Sequence, residues 1–410
     1  MRETSTQCDL TIRFAGHMTI RELILLTGRN EDELRAEIAA LGMNKTARFG
    51  TETLTLNDAR RLMGIGHTEK FAMQSSTLPG FSFPRLHRLM HRAIESTGLD
   101  LSGLTVLTEA ASGAYAATAM IAALAGAKRV YAFVRPSKYG TVAEIQSSTL
   151  RLASFIGVDD RITVLEELRD DVIKDADIVT NSGHLRPISP DLVSKLADDA
   201  VIALMFEAWE FRPDDIDLDA CVRRSIPIVG VNERHPSVDV FSFLGPLCVK
   251  HLHDCGLAVY RDRIALVCDN EFAGPMADGL SAAGAEVEVF KVVGDLVEGE
   301  WDAVVVALKP HREPRVSSAE LNHIATCVPS GAVVVQFWGE VDREAAKRAG
   351  LSIWPVSPPR PGHMAILLSD IGPEPIIRLQ AGGLRAAELV RRAGTRTRSD
   401  LVQLVSINDL

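Results

Sequence analysis

Apolar residues occur along this chain in short runs, and each run ends in small or polar residues. The clearest case is a β-branched run at 104–108 that ends in the small-residue loop Ala110–Ala114. An alanine-rich helix is predicted from there to about Ala125, and Gly126 separates it from a second apolar run at 129–134. This order of strand, tight turn, helix and strand is typical of the first unit of a nucleotide-binding α/β fold.

The same alternation continues along most of the chain. A first series of strands is predicted at 104–108, 129–134, 161–165, 176–180, 200–205 and 226–231, with helices between most of them. A second series begins at Arg263 and continues with strands at 286–290, 302–308, 332–337 and 351–354. Strands that alternate with helices form parallel sheets, so the pattern predicts doubly wound α/β domains.

These patterns predict the division of the chain. Two Rossmann-like doubly wound domains are expected at 71–235 and 259–375, joined by a hinge helix at 236–258. Residues 376–410 are expected to form a C-terminal helix, which crosses back to the first domain, and a tail.

Residues 1–70 are predicted to form a small helical unit. Helix starts are expected near Thr19, Asn30 and Thr55. Acidic residues outnumber basic ones over the first two of these helices, which favours a cap or a dimerisation element over DNA binding.

The loop after the first strand is the predicted cofactor site. Small residues let a phosphate approach the backbone, and a helix N-terminus offers N–H groups and a positive dipole end. The loop holds one glycine and no complete G-x-G-x-x-G, so an ordinary strand-to-helix turn is the alternative. The residues assigned to the cofactor here are Glu109, Ser112, Gly113, Ala114 and Tyr115.

The second strand is followed by basic residues where a nucleotide-binding unit reads the ribose. An acid at this position suits a free 2′-hydroxyl, whereas a basic residue accommodates a 2′-phosphate. The chain has Arg135, Ser137 and Lys138 there, which favours NADP over NAD or S-adenosylmethionine, with a solvated loop as the alternative.

Polar side chains follow three further strands, and the carboxyl ends of parallel strands line the ligand crevice. Asn181 and Gly183 are assigned to the cofactor, and the predicted catalytic residues are His235, Glu207, His184 and His363. Arg234, Asn232, Arg186 and Arg360 are predicted to bind the substrate. Among these, His235 is the preferred acid/base and Arg234 the preferred anion anchor, with a plain strand-end turn as the alternative.

Composition narrows the range of functions. The 410 residues carry a net charge of −10, which argues against nucleic acid or an anionic membrane surface as the main partner. No window reaches about 18 uninterrupted apolar residues, and the N-terminus lacks the apolar core of a signal peptide. Six scattered cysteines without a C-x-x-C pair indicate reduced thiols and a cytoplasmic protein. Metal binding by Glu207, Glu210, His184 and His235 finds no support in H-x-E or H-E-x-x-H spacing, so no metal is expected.

From about residue 175 the order of segments resembles the two-domain family of D-2-hydroxyacid dehydrogenases and S-adenosylhomocysteine hydrolase. The resemblance lies in the segments 214–220 and 226–229, in the apolar runs 302–306 and 329–335, and in the helix start at 341–345. It implies two domains and a dinucleotide. Where the family carries its glycine motif, this chain has Asp269–Gly274, and Trp338 stands where the family places its substrate arginine. We therefore transfer the architecture alone and place the cofactor in the first domain.

The sequence thus predicts an NAD(P)-dependent oxidoreductase that acts on a small polar metabolite in an interdomain cleft. We expect a homodimer. One alternative is an S-adenosylmethionine-dependent methyltransferase, supported by Glu109 at the end of the first strand. The other is a non-catalytic nucleotide-binding protein derived from a dehydrogenase, supported by Trp338 and the absent glycine motif.

Overall fold

The structure is a computed structural model, and it describes residues 17–20, 24, 30–40, 46–48, 51–55, 78–136, 140–311 and 313–405. The chain divides into two compact units. Unit 1 comprises Met1–Asn232 and Ile376–Leu410, and unit 2 comprises Glu233–Pro375.

The N-terminal segment contains strands as well as a helix, which corrects the purely helical prediction. Its elements are β1 (His17–Thr19), α1 (Glu31–Ala40), β2 (Thr46–Arg48) and β3 (Thr51–Thr55). The strands form an antiparallel sheet in the order β1-β3-β2. The helix start predicted at Asn30 is confirmed, because the Asn30 side chain accepts the N–H of Asp32 at 2.7 Å. β3 alternates threonine with other residues, a composition that favours strands over helices.

The main part of unit 1 alternates strands and helices as the sequence predicts. Its elements are α2 (Phe83–Thr97), β4 (Thr105–Glu109), α3 (Ala117–Leu124), β5 (Arg129–Phe133), α4 (Val142–Ile156), β6 (Ile162–Leu165), α5 (Asp170–Asp175), β7 (Ile178–Thr180), α6 (Pro190–Lys195), β8 (Val201–Ala203), α7 (Leu218–Arg224) and β9 (Ile228–Val231). Each predicted strand is confirmed to within a few residues.

Unit 2 is a second α/β domain, and its strands also follow the prediction. Its elements are α8 (Leu244–Asp254), β10 (Arg263–Val267), α9 (Ala273–Ala282), β11 (Glu286–Phe290), β12 (Ala303–Ala307), α10 (Ser318–Cys327), β13 (Val333–Trp338), α11 (Arg343–Arg348) and β14 (Ser352–Trp354). All five strands are parallel, in the order β11-β10-β12-β13-β14.

The predicted hinge helix is shorter than expected. Residues 236–238 form a turn, a 3₁₀ turn covers Phe241–Phe243, and α8 begins only at Leu244. The reason is local, because the carbonyl of His235 accepts the N–H groups of both Val238 and Asp239, and Asp239 has a φ of +50°. This left-handed backbone conformation interrupts a helix.

After unit 2 the chain returns to unit 1 through α12 (Glu374–Ala393) and β15 (Val402–Leu404). The Gln380 side chain accepts the hydroxyl of Thr118 at 2.8 Å, and Arg391 pairs with Asp177 at 2.7 Å. β15 pairs with β9 in the antiparallel direction. The predicted return helix is therefore confirmed, whereas the edge strand β15 was not predicted.

The order of strands in unit 1 is β15-β9-β8-β7-β4-β5-β6. When the six parallel strands are numbered by their order in the chain, their order across the sheet is 3-2-1-4-5-6, which is the order of dinucleotide-binding domains. Unit 2 reads 2-1-3-4-5, the order of flavodoxin-like domains. The predicted fold class, two doubly wound α/β domains, is confirmed, and the two sheets differ in topology.

Candidate functional site

The candidate site lies in unit 1, at the carboxyl end of the central strand β4. β4 is buried along its whole length and lies between β5 and β7. The strands that follow β4 in the chain are added first on one side of it, as β5 and β6, and then on the other side, as β7, β8 and β9. The connections therefore leave β4 in opposite directions, and a crevice forms at its carboxyl end. Ligands of open parallel sheets bind in that crevice.

The turn after β4 leaves open space beside its backbone. Gly113 has a φ of +63°, and apart from its two chain neighbours no described residue has an atom within 4 Å of the place where its Cβ would be. A 3₁₀ turn, Gly113–Ala116, leads directly into α3, and the Ser112 side chain does not cap it. The turn therefore combines a helix N-terminus with room for a phosphate.

Glu109 joins the end of β4 to the turn that follows β7. Its buried carboxylate accepts the backbone N–H of His184 at 3.0 Å. Burial raises the pKa of Glu109, although the N–H groups of residues 183 and 184 and the Arg186 charge oppose the shift. A Cβ on Gly183 would lie 2.9 Å from the Glu109 Oε2 atom. A larger residue at 183 would therefore have to displace the Glu109 carboxylate.

A chain of buried hydroxyl groups links the ends of β4 and β7. The Thr180 hydroxyl donates to Thr108 at 2.7 Å and lies 2.8 Å from the Ser182 hydroxyl. All three residues are buried. Sequence reasoning missed this chain, and its signal is a threonine at the next-to-last position of β4 and at the last position of β7.

Arg186 is held beside Asn181 at the same end of the sheet. Its Nε donates to the Asn181 Oδ1 at 3.0 Å, and its Nη2 donates to the Asn181 carbonyl at 2.7 Å. The guanidinium lies over the Phe206 ring and 3.5 Å from an Asp215 carboxylate oxygen. Burial lowers the pKa of Arg186, which stays protonated because an arginine pKa starts so high.

Arg135 extends across the end of β4. It follows β5, and its Nη2 donates to the Arg186 carbonyl at 2.5 Å, beyond β7. Because β5 and β7 flank β4, this side chain spans the crevice between them. The neighbouring candidates Ser137 and Lys138 lie outside the described residues.

The structure therefore brings together several residues that the sequence assigned to different roles. These are Glu109, Arg135, Asn181, Gly183, His184 and Arg186. The Ser112–Ala114 turn follows Glu109 at the end of β4. Tyr115 lies in the 3₁₀ turn Gly113–Ala116 that follows β4, and it is partly exposed.

Two other candidates in unit 1 make different contacts. Glu207 is fully buried and accepts the indole N–H of Trp209. The Asn232 side chain donates to the carbonyl of Asp400 at 3.0 Å, next to β15. These contacts stabilise the turn after β8 and the C-terminal strand.

The remaining candidates lie in unit 2. Arg234 forms an ion pair with Glu271 at 3.0 Å and lies over the Phe241 ring. The Nδ1 atom of His235 accepts the N–H of Ser237 at 3.2 Å, as in a local turn.

His363 and Arg360 form a second local turn in unit 2. The His363 N–H donates to the Arg360 carbonyl at 2.9 Å, and His363 Nδ1 lies 3.0 Å from the Pro361 carbonyl oxygen. The indole of Trp338 donates to the next carbonyl, that of Gly362, at 3.1 Å. The catalytic and substrate-binding roles predicted for the unit 2 residues stay predictions.

The equivalent crevice of unit 2, between β10 and β12, is occupied by the chain's own groups. The Asp269 carboxylate accepts the Lys309 N–H at 2.9 Å and pairs with Arg315 at 2.7 Å. Burial raises the pKa of Asp269, but these partners together lower it by more, so the pKa lies below its ordinary value. Asn270 donates to the Ala307 carbonyl at 2.8 Å. The acidic loop is thus satisfied internally and offers no glycine turn.

The described part of the chain contains neither a group of metal ligands nor a helix that could span a membrane. Within it, no three histidine, cysteine, aspartate or glutamate side chains are grouped as metal ligands would be. None of its helices combines the length and the apolar character needed to cross a membrane.

Comparisons with known proteins give matches only among solved structures, since no family model and no curated protein matches. A dipicolinate synthase chain from Bacillus subtilis is 10% identical, with a TM-score of 0.47 over 72% of this chain and 99% of its own. Its counterpart from Bacillus halodurans is 11% identical, with a TM-score of 0.45 over 73% and 100%. NAD-dependent formate dehydrogenase from Staphylococcus aureus is 11% identical, with a TM-score of 0.44 over 74% and 99%. These three structures are what this chain is similar to, and they assign no role to any of its residues.

Proposed function

We propose that the protein is an NAD(P)-dependent oxidoreductase that binds its dinucleotide in unit 1. The observation that carries the proposal is the 3-2-1-4-5-6 strand order with an open glycine turn at its switch point. That combination is the dinucleotide site of doubly wound domains. Unit 2 has a different strand order, and its own switch point is filled by Asp269 and Arg315.

The fold predicts where each part of the cofactor lies. The pyrophosphate belongs at the N–H groups of the Ser112–Ala114 turn, where the helix dipole favours negative charge. The adenine ribose belongs at the end of β5, beside Arg135. An arginine there suits a 2′-phosphate, so we propose NADP as the preferred form.

The cofactor supplies hydride chemistry, and the chain supplies binding and orientation. A small polar metabolite is the proposed substrate, and the partly buried Arg186 is suited to hold an anionic group on it. His235 stays the predicted acid/base, and a substrate site between the two units stays part of the proposal.

The methyltransferase alternative is supported in the sequence by Glu109 at the end of the first strand. In the structure this carboxylate is directed at the backbone of the turn after β7, where it accepts the His184 N–H. The structure therefore adds no observation in favour of that alternative.

A thermal-shift panel tests the proposal directly. NADH, NADPH, S-adenosylmethionine and S-adenosylhomocysteine are compared at equal concentration. We expect the nicotinamide cofactors alone to raise the melting temperature, with NADPH above NADH, since ligands that bind only the folded state stabilise it. Stabilisation by the adenosyl compounds alone would contradict the proposal. Cofactor binding without turnover of any small hydroxy, keto or amino acid would favour the non-catalytic alternative.

A further inference from the structure

Asn181 carries a buried hydrogen-bond donor that the protein does not use. The residue is fully buried at the end of β7, and its Nδ2 atom has no hydrogen-bond partner among the described residues. The orientation of the amide is fixed by Arg186, because a guanidinium only donates and therefore must face the amide oxygen. The NH₂ group consequently points away from Arg186.

His184 carries a second unused polar atom in the same turn. Its Nδ1 is buried and has no partner within the described part of the chain, although its backbone N–H binds Glu109. Leaving a buried polar group unsatisfied destabilises a protein, so two such atoms on residues three positions apart call for an external partner.

The proposed cofactor position tells which part of the ligand reaches this turn. The pyrophosphate lies at the turn after β4, and the adenine ribose lies on the β5 side. β7 is the neighbour of β4 on the opposite side. The nicotinamide half therefore extends toward Asn181 and His184, and its ribose comes first because it adjoins the pyrophosphate.

Resting on the function proposed above, we infer that Asn181 Nδ2 and His184 Nδ1 bind the two hydroxyl groups of the nicotinamide ribose. One hydroxyl oxygen accepts a hydrogen bond from the Asn181 amide. The other hydroxyl both donates and accepts, so it matches the imidazole nitrogen in either tautomer. This pair of contacts fixes the sugar next to the hydride-carrying ring.

Three ligands of increasing length test the inference with Asn181→Leu, His184→Leu and the double variant. ADP lacks the second ribose, ADP-ribose carries it, and NADH adds the nicotinamide. The 2′-phosphorylated forms replace them if the wild type prefers NADPH. Both substitutions keep the backbone groups that bind Arg186 and Glu109.

We expect each single variant to bind ADP-ribose and NADH about tenfold more weakly, and the double variant about a hundredfold, with ADP unchanged. ADP thereby serves as the control for an intact fold. Equal losses for all three ligands, or no loss for any, would overturn the inference. Loss for NADH alone would also overturn it, since the contact would then be to the carboxamide. If the wild type binds none of the ligands, it is the proposed function that fails.

Discussion

Glu109 and Gly183 meet at the end of β4 without space for one further carbon. A Cβ at 183 would lie 2.9 Å from the carboxylate oxygen, so Gly183→Ala must displace Glu109 from its N–H partners. We expect a loss of about 1–3 kcal/mol in the free energy of unfolding, measured by urea denaturation. Gly80→Ala is the control, since nothing lies within 4 Å of its Cβ position. Equal effects of the two substitutions would contradict this fit.

The raised pKa of Glu109 makes stability depend on pH. Because the folded protein keeps this proton to a higher pH than the unfolded chain, the free energy of unfolding falls as pH rises from about 4.5 through the folded pKa. Glu109→Gln removes that loss and keeps an oxygen acceptor for the His184 N–H. We expect the free energy of unfolding of the variant, minus that of the wild type, to rise by up to about 1.4 kcal/mol for each pH unit in this range. A difference that is constant with pH would contradict the buried, raised carboxyl.

Arg135 decides the choice between the two nicotinamide cofactors in this account. In the structure the guanidinium binds the Arg186 carbonyl, and the proposal requires it to turn to the 2′-phosphate that only NADPH carries, so Arg135→Ala removes that charge. We expect NADPH to bind about tenfold or more weakly, with NADH changed less than threefold, in parallel calorimetric titrations. NADH is thus its own control for the lost bond to the Arg186 carbonyl. Equal losses for both cofactors would exclude this role.

The sequence predicted most of the residues of this cluster because polar residues at the ends of apolar runs mark strand ends. It did not predict their partners. The bond between Thr180 and Thr108 joins residues 72 positions apart, and it depends on β7 lying next to β4. Strand order is set by how crossovers pack, which no local pattern encodes. Arg234 illustrates the same limit, since its ion pair with Glu271 follows from the fold of unit 2.

At the scale of elements, two helices of unit 2 touch through glycine. A Cβ on Gly279 of α9 would lie 2.3 Å from the Cα of Gly245 in α8. Because backbone atoms cannot move aside cheaply, Gly279→Ala should separate the helices and destabilise unit 2 by about 2–4 kcal/mol. Gly274→Ala lies on the same helix with nothing within 4 Å and should be neutral or stabilise by up to about 1 kcal/mol. Thermal unfolding of both variants measures this contrast, and a stable Gly279→Ala protein would refute it.

Elements were predictable where the pattern was strong. β12 is buried on both faces and appears in the sequence as a continuous apolar run. The start of α8 was misplaced because Pro236 resembles a helix start, whereas the turn at His235 and Asp239 depends on backbone hydrogen bonds. β15 was missed because three residues of mixed polarity carry no periodic signal, and pairing with β9 alone defines them.

At the scale of the whole molecule, unit 1 is built from two separate parts of the chain. The return helix α12 supplies Arg391 to Asp177, and its Glu388 accepts the N–H of Asp100 at 3.1 Å. A chain that ends at Pro375 should therefore lose the cooperative unfolding of unit 1, because the surfaces that α12 covers become exposed.

Unit 2 is continuous in the chain, so the fragment Glu233–Pro375 should fold alone. Circular dichroism melts of both proteins test this, and an unchanged melt after truncation would contradict it.

The central claim is that the dinucleotide phosphates lie at Gly113 in unit 1, and one pair of isosteric variants tests it most directly. Asparagine and aspartate both tolerate the left-handed conformation of this residue, and its Cβ position is open. Gly113→Asp places a negative charge where the phosphates belong, whereas Gly113→Asn has the same shape without the charge. In calorimetric titrations with NADPH and NADH, we expect the aspartate variant to bind at least about tenfold more weakly than the asparagine variant, with equal melting temperatures in the absence of ligand. Equal affinities of the two variants, close to that of the wild type, would contradict a phosphate site at this turn.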